Sequence, residues 1–273
     1  MNRTSQEISK IIVDKLSQNI EDLKIQYKNS ENEIGYFYID NLLPDELVLE
    51  LNNCFPESKV MILKQSLRED KYIAVQMNLY NPLLEQVIYS FQQKNVVKVI
   101  SEICRISDLH PDENLYAGGL SLMENKQFLN PHLDNSHDKD IDKWRVLNLL
   151  YYVNPSWESS FGGNLELWPN GLNEKQITID SKYNRLVVMA THHQSWHSVS
   201  PITNQDFSRK CISNYYFSNY PLKTTDTFHI TTFRGRPNQL IINQILKIDS
   251  FLRTTIRSFF KKGIVKNKHV YKK

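Results

Sequence analysis

The chain has 273 residues, 40% of them hydrophobic and 23% charged, an ordinary globular composition that excludes a wholly disordered chain. Its 8 glycines and the lack of any repeating unit exclude collagen-like and solenoid architectures. The formal net charge of +3 is unevenly spread: residues 250–273 hold eight Lys or Arg and no acid, leaving 25 basic against 30 acidic residues elsewhere, which argues against a nucleic-acid-binding role for the chain as a whole.

In chain order, Ile8, Ile11, Ile12, Leu16, Ile20 and Leu23 recur at spacings of three and four and predict a helix over 4–28. Gly35 to Ile39 reads as a short strand, and Leu43-Pro44-Asp45 starts a helix running to about Asn53. A second long helix is expected from about Pro82 to Ile106 on Leu84, Val87, Ile88, Phe91, Val96, Val97 and Ile100. After His110 the character changes to strand-like runs at 115–123, 145–153, 164–168, 175–179, 185–190 and 211–218. Turn signals such as Asn130-Pro131, Asn154-Pro155, Gly162-Gly163 and Pro169-Asn170-Gly171 separate them. Such a series suggests a β-sandwich or barrel with helices packed around it.

From about Asn238 to Lys262 a helix returns. Its apolar stripe of Ile242, Ile245, Leu246, Leu252, Ile256, Phe259 and Phe260, bordered by Arg253, Arg257, Lys261 and Lys262, is expected to bury itself on the β-core. The tail 264–273 is expected to be dispensable for folding, its cations drawn weakly to anionic surfaces. With no Pro/Gly/Ser linker to cut at, we expect one domain over 1–273, comprising a helical support region (1–110), a β-core (111–220), a C-terminal strand and helix (221–263) and the basic tail. The three cysteines, Cys54, Cys104 and Cys211, are scattered and form no CxxC. With no apolar signal segment and no run approaching about 18 apolar residues, they fit a reducing, cytoplasmic setting without a transmembrane segment.

Two H-x-D tripeptides offer metal chemistry: His110-Pro111-Asp112 and His132-Leu133-Asp134. In an extended segment residues i and i+2 point to one side, so an imidazole and a carboxylate can share one ion. Downstream context favours the second copy. Trp196-His197-Ser198-Val199-Ser200-Pro201 follows the strand 185–190, and Arg209 opens the next strand. Two His and one carboxylate on a face of an ion leave three positions open, for a chelating 2-oxo acid and O2. A bidentate Arg suits the far carboxylate of such an acid.

From about Leu115 to Ser218 the chain resembles the prolyl-4-hydroxylase-like branch of the 2-oxoglutarate/Fe(II)-dependent oxygenases. The resemblance rests on His132-Leu133-Asp134, the strand from Arg145 to Tyr151-Tyr152-Val153-Asn154, Gly162-Gly163-Asn164-Leu165, Arg185-Leu186-Val187-Val188, His197-Ser198-Val199-Ser200-Pro201 and Arg209. It implies a mainly β fold, with a double-stranded β-helix (jelly-roll) core and helices packed on one sheet. It also implies that His132, Asp134 and His197 bind Fe(II) and that Arg209 holds 2-oxoglutarate. Tyr152 would assist there, and Leu165 would pack on the co-substrate; Asn148, Leu150 and Tyr152 alternate on one strand face, so all three are expected to line the pocket. The implied activity is hydroxylation of an unactivated C–H bond in a small molecule, sugar or peptidyl side chain. It consumes 2-oxoglutarate and O2, releases succinate and CO2, and has ascorbate as an optional reductant.

One departure stands out: Met123 and Lys126 occupy places where the family often has Tyr-x-x-Gly. Alternatives remain at several positions. His192 and His193 compete with His197; His137 and Asp138 stand in substrate reach or in solvent; Trp157 closes over substrate or caps the core; and Arg234-Gly235-Arg236-Pro237 binds an acid or forms a surface turn. Loops 136–144, 154–163 and 222–237 are candidates for substrate selection. The competing reading is a cupin-like metal-binding protein with a non-redox or purely binding role, in which Arg209 has no evident task.

Overall fold

The computed structural model describes residues 3–259 and Tyr271. The chain enters through α1 (Ser5–Gln18), whose first turn is closed by a capping box. The Thr4 hydroxyl accepts from the Glu7 amide, and the Glu7 carboxylate accepts from the Thr4 amide. The helix expected over 4–28 breaks at Asn19, whose side-chain amide donates to the Lys15 carbonyl. It resumes as α2 (Ile20–Ser30). There follow β1 (Tyr36–Asp40), α3 (Asp45–Cys54) and a hairpin of β2 (Ile62–Gln65) and β3 (Glu69–Ala74) that sequence patterning did not reveal. The second long helix is also two: α4 (Pro82–Phe91) and α5 (Lys94–Cys104). Neither Pro nor Gly marks this break. The Gln92 amide donates to the Asp112 carbonyl and to Asn214 Oδ1, so a tertiary contact ends α4.

The β-core comprises β4 (His110–Pro111), β5 (Gly119–Met123), β6 (Phe128–Leu133), β7 (Trp144–Tyr152), β8 (Leu165–Leu167), β9 (Ile177–Ile179), β10 (Arg185–Ala190), β11 (His197–Val199), β12 (Arg209–Ser218) and β13 (Thr232–Phe233). The strand expected from Leu115 starts only at Gly119. Leu115 has φ +46°, and the Asp112 carboxylate accepts the amides of Tyr116, Ala117 and Gly118, holding that stretch in a turn.

All pairings are antiparallel, in the order β1-β10-β7-β12-β5-β3-β6-β11-β8-β9, with β2 on β3, β4 on β12 and β13 on β6. The sheet curls into a jelly roll, and the period of two along β7 divides its faces. Leu149, Tyr151 and Val153 join Leu186, Val188 and Ile212 in the main core beneath the helices, against Ile8, Ile12, Leu16, Leu84 and Ile88. Leu150 and Tyr152 turn the other way, packing with Leu165, Leu167, Val187, Met189 and Cys211 inside the roll. Each such apolar side chain contributes roughly 1.5–3 kcal/mol when fully buried. The helices thus clamp one face of the sheet and leave the other to form a cavity.

The C-terminal helix departs from expectation. Among the described side chains of α6 (Leu240–Phe259) Leu246 and Ser250 are the buried ones, whereas Ile245, Leu252, Ile256 and Phe259 are 46–79% exposed. The face turned to the protein is largely polar because Asp249 and Arg253 bond to groups at the cavity mouth. Phe260, Lys261 and Lys262 lie outside the described residues, as does the tail except Tyr271. That residue packs on α4, a contact that the expectation of a dispensable tail did not include: it is 5% exposed, its hydroxyl donates to Glu85 Oε1 at 2.7 Å, and its ring lies 6.4 Å from that of Tyr89. Among the described residues no helix is long and apolar enough to cross a membrane.

Candidate active site

Pairing of β6 with β11 makes His132 and His197 direct register partners, their ring centroids 4.1 Å apart. Asp134 follows just past the end of β6. Its Oδ1 lies 3.7 Å from His132 Nε2 and its Oδ2 3.7 Å from His197 Nε2. The Nδ1 atoms face backbone carbonyls, that of Asn130 at 3.0 Å for His132 and that of Ser195 at 2.9 Å for His197. A carbonyl only accepts, so each Nδ1 carries a proton, and in the neutral imidazole Nε2 then presents a lone pair. Burial pushes His132 down to about 3, with the neighbouring His197 adding to it, so this imidazole is neutral. Burial pushes the Asp134 carboxyl up, but His197, Arg145 and His132 outweigh it and hold the group below its ordinary value.

One ligand atom from each of the three side chains lies within 4.8 Å of the others, and Asp134 Oδ2 is buried without a hydrogen-bond donor. Two imidazole lone pairs and an undonated carboxylate oxygen make an electron-rich hole. A divalent cation satisfies that donor set, and two His with one carboxylate suit Fe(II). The Phe233 ring, brought by β13, stacks on His132 at 5.0 Å.

Arg209 starts β12 at the inner end of the same cavity. It is 2% exposed, its Nε donates to Ser181 Oγ at 3.0 Å, and its guanidinium carbon lies 4.9 Å from the Tyr152 ring centroid. Among the described residues it forms no ion pair. A buried cation left so is costly, and an anion beside it would offset that cost. The Gly-Gly turn makes room for it. Gly163 has φ +65°, and a Cβ there would stand 3.0 Å from both Arg209 Cδ and Trp157 Cζ2. At Gly162 a Cβ would meet the Pro201 carbonyl at 2.0 Å. Trp157 packs with Met123, Val199 and Ile202 as a small core beside Arg209 and does not close over the cavity.

The cavity has a volume of about 630 Å3. Its wall includes His132, Asp134 and His197 together with Arg209, Asn148, Leu150 and Leu165. Tyr152 shares the strand face of Asn148 and Leu150 but does not reach the cavity wall, because Arg209 lies over its ring. Met123, at the position of the family's tyrosine, puts its Sδ 3.8 Å from Arg209 Nη1. Lys126, at the position of the glycine, takes φ +68°, a conformation that favours glycine.

The competing residues are accounted for structurally. His110 pairs with Asp108 at 2.8 Å, and Asp112 caps backbone amides, so the first H-x-D is spent. His192 donates through Nε2 to the Ile34 carbonyl and accepts the Gln194 amide on Nδ1, while His193 pairs with Asp226. His137 is different: it is buried and stacks on Phe228, yet it lines the cavity with its Nε2 unpartnered among the described residues, within reach of a bound substrate rather than in solvent; Asp138 binds the amide of Asp142. Arg236 forms neither a surface turn nor a ligand site. It pairs with buried Glu166 at 2.8 Å and donates to the Val199 carbonyl, tying the C-terminal segment to β8 and β11.

Sequence reasoning missed two groups on the wall. Arg145 appeared only as the start of a strand. In the structure its Nη1 is 3.6 Å from Asp134 Oδ1, its guanidinium lies 4.4 Å from the Tyr215 ring centroid, and its Nε is buried without a partner. A register shift in the β7–β12 ladder, beside Arg145, breaks the plain alternation that strand reading relies on. The second group is the set of cations on the unforeseen hairpin, Lys64, Arg68 and Lys71.

Residues 118–217 match the family model of the 2OG-Fe(II) oxygenase superfamily. Over 85 residues, 30% of this chain, the sequence is 33% identical to prolyl 3-hydroxylase OGFOD1 of Mus musculus, and the match spans 15% of that protein's length. A prolyl-4-hydroxylase from Pseudomonas putida superposes with a TM-score of 0.53 at 15% identity, over 72% of this chain and 98% of that one. A Trichoplax adhaerens prolyl hydroxylase, solved with a hypoxia inducible factor peptide fragment, gives a TM-score of 0.52 at 23% identity, over 74% and 92%. The stretch 118–217, which contains His132, Asp134, His197 and Arg209, therefore matches the 2OG-Fe(II) oxygenase superfamily, and the chain is similar to prolyl hydroxylases in sequence over 85 residues and in fold.

Proposed function

We propose that the whole chain acts as one Fe(II)- and 2-oxoglutarate-dependent hydroxylase, with a prolyl side chain of a peptide as substrate. In this reading His132, Asp134 and His197 hold the iron. Arg209 takes the distal carboxylate of 2-oxoglutarate in a bidentate grip, Tyr152 supports the guanidinium from beneath, and Leu150 and Leu165 bound the co-substrate. The bound iron and 2-oxoglutarate supply the oxidising chemistry that puts a hydroxyl on a C–H bond and yields succinate and CO2. The chain's own task is to fix the Nε2 atoms through their Nδ1 bonds, to keep Asp134 ionised beside Arg145, and to exclude water with the apolar lining. A prolyl substrate is favoured by the hydroxylases to which the chain is similar. A cytoplasmic setting is favoured by three unpaired cysteines.

The observation that carries this reading is the pairing, in one cavity, of an undonated His–Asp–His cluster with a buried arginine that has no ion pair among the described residues. The cupin-like alternative gives Arg209 nothing to bind. The test is succinate release from 2-oxoglutarate across a panel of proline-containing peptides, with mass spectrometry of the peptide. A gain of one oxygen on proline, stoichiometric with succinate, is expected. Succinate release stimulated only by non-peptide substrates would reject the prolyl assignment.

A further inference from the structure

The outer wall of the cavity is cationic to a degree that the fold's stability does not require. Lys64 and Lys71 are direct register partners across the β2–β3 hairpin and both face the cavity. Like charges placed opposite each other in a sheet destabilise it. Lys71 is matched by Glu69 at 3.0 Å. Arg68, from the hairpin turn, pairs with Asp249 of α6, and Arg253 approaches the same carboxylate at 3.7 Å. Arg253 is held below its ordinary pKa by burial and by the like charge of Arg68. One helical turn on, Arg257 also lines the cavity, and its Nε is buried without a partner. The mouth thus gathers five cations against two carboxylates, on a body whose residues 1–249 are otherwise net acidic.

These cations come from two elements: Lys64, Arg68 and Lys71 from the hairpin, and Arg253 and Arg257 one turn apart on α6, with Arg68 and Arg253 meeting at Asp249. A single phosphate is held by converging donors; a row of cations suits a chain with several separate negative charges. We infer that the cavity mouth binds an extended acidic peptide segment, whose Asp or Glu side chains flank the reacting residue and dock on Lys64, Arg68, Lys71, Arg253 and Arg257. This inference rests on the oxygenase reading above and adds the class of peptide that the site takes.

The test uses the full chain with Fe(II) and 2-oxoglutarate under anaerobic conditions. Fluorescence anisotropy is read for a labelled peptide with a central proline flanked by glutamates, for the same peptide flanked by lysines, and for a single-stranded oligonucleotide. The acidic peptide should bind about tenfold or more tightly than the lysine peptide, as several exposed charge pairs of about 0.2–1 kcal/mol each imply. The preference should shrink as salt rises towards roughly 0.15 M. The Lys64→Ala/Arg257→Ala double variant should lose about threefold to tenfold in affinity for the acidic peptide. Equal binding of the two peptides, unchanged affinity in the double variant, or tighter binding of the oligonucleotide would overturn the inference. Retention of iron and 2-oxoglutarate, measured on the same samples, separates the two readings: intact retention without discrimination rejects the acidic peptide alone, and lost retention counts against the oxygenase site.

Discussion

Arg209 concentrates the chemistry at the scale of single residues. It is buried, bonded to Ser181 through one nitrogen, stacked near Tyr152, and without a carboxylate of its own among the described residues. Truncating one partner of a buried, hydrogen-bonded charge pair costs about 2–5 kcal/mol. Arg209→Ala should therefore weaken 2-oxoglutarate binding about thirtyfold or more, with iron affinity little changed, as isothermal titration of the metal-loaded protein will read. Unaltered co-substrate affinity would remove Arg209 from the site. His132 and His197 were legible as candidates at this scale because their neighbours carried a pattern. Arg145 was not, because an arginine next to a register shift gives no periodic signal. Tyr152 was legible as an interior residue, but that it lies beneath Arg209 and off the cavity wall depends on side-chain packing that alternation does not encode.

Elements were read best where one face packs against the core. Strand 185–190 has the bounds expected of it, since all six of its residues are buried. The two long helices each proved to be a pair, because Asn19 and Gln92 break them through side-chain bonds rather than through Pro or Gly. The β2–β3 hairpin escaped notice because Ile62, Leu63 and Leu67 are 45–48% exposed, so the usual alternation is absent. In α6 the apolar stripe was legible but its direction was not: Leu246 is 2% exposed whereas Ile248 is 62% exposed. Leu246→Ala should cost about 2–5 kcal/mol, and Ile248→Ala no more than about 0.5 kcal/mol, in denaturant unfolding. The reverse order would show that α6 docks by its other face.

Acid sensitivity belongs to the molecule as a whole. His192 is lowered to about 4 chiefly by burial, and His137 to about 4 by burial together with the charges of Arg145 and Arg257. His132 is lowered further, to about 3. An unfolded histidine titrates near 6.5, so between that pH and about 4 the unfolded chain binds more protons than the folded one. Stability is therefore fully present above about pH 6.5 and falls as acid is added, by up to about 1.4 kcal/mol per pH unit for each histidine. The melting temperature of the metal-free protein should drop steadily from pH 7 to pH 5. A flat profile would mean that these imidazoles are solvated.

The central claim, that one hole in the jelly roll between β6 and β11 holds the metal, is tested most directly by iron retention. Anaerobic reconstitution with Fe(II), desalting and metal analysis should give one iron per chain for the parent protein and for His110→Ala, whose imidazole is paired with Asp108 away from the cavity. His132→Ala, which removes one of the two facing Nε2 atoms, should retain almost none. Iron kept by His132→Ala and lost by His110→Ala would contradict the account at its root.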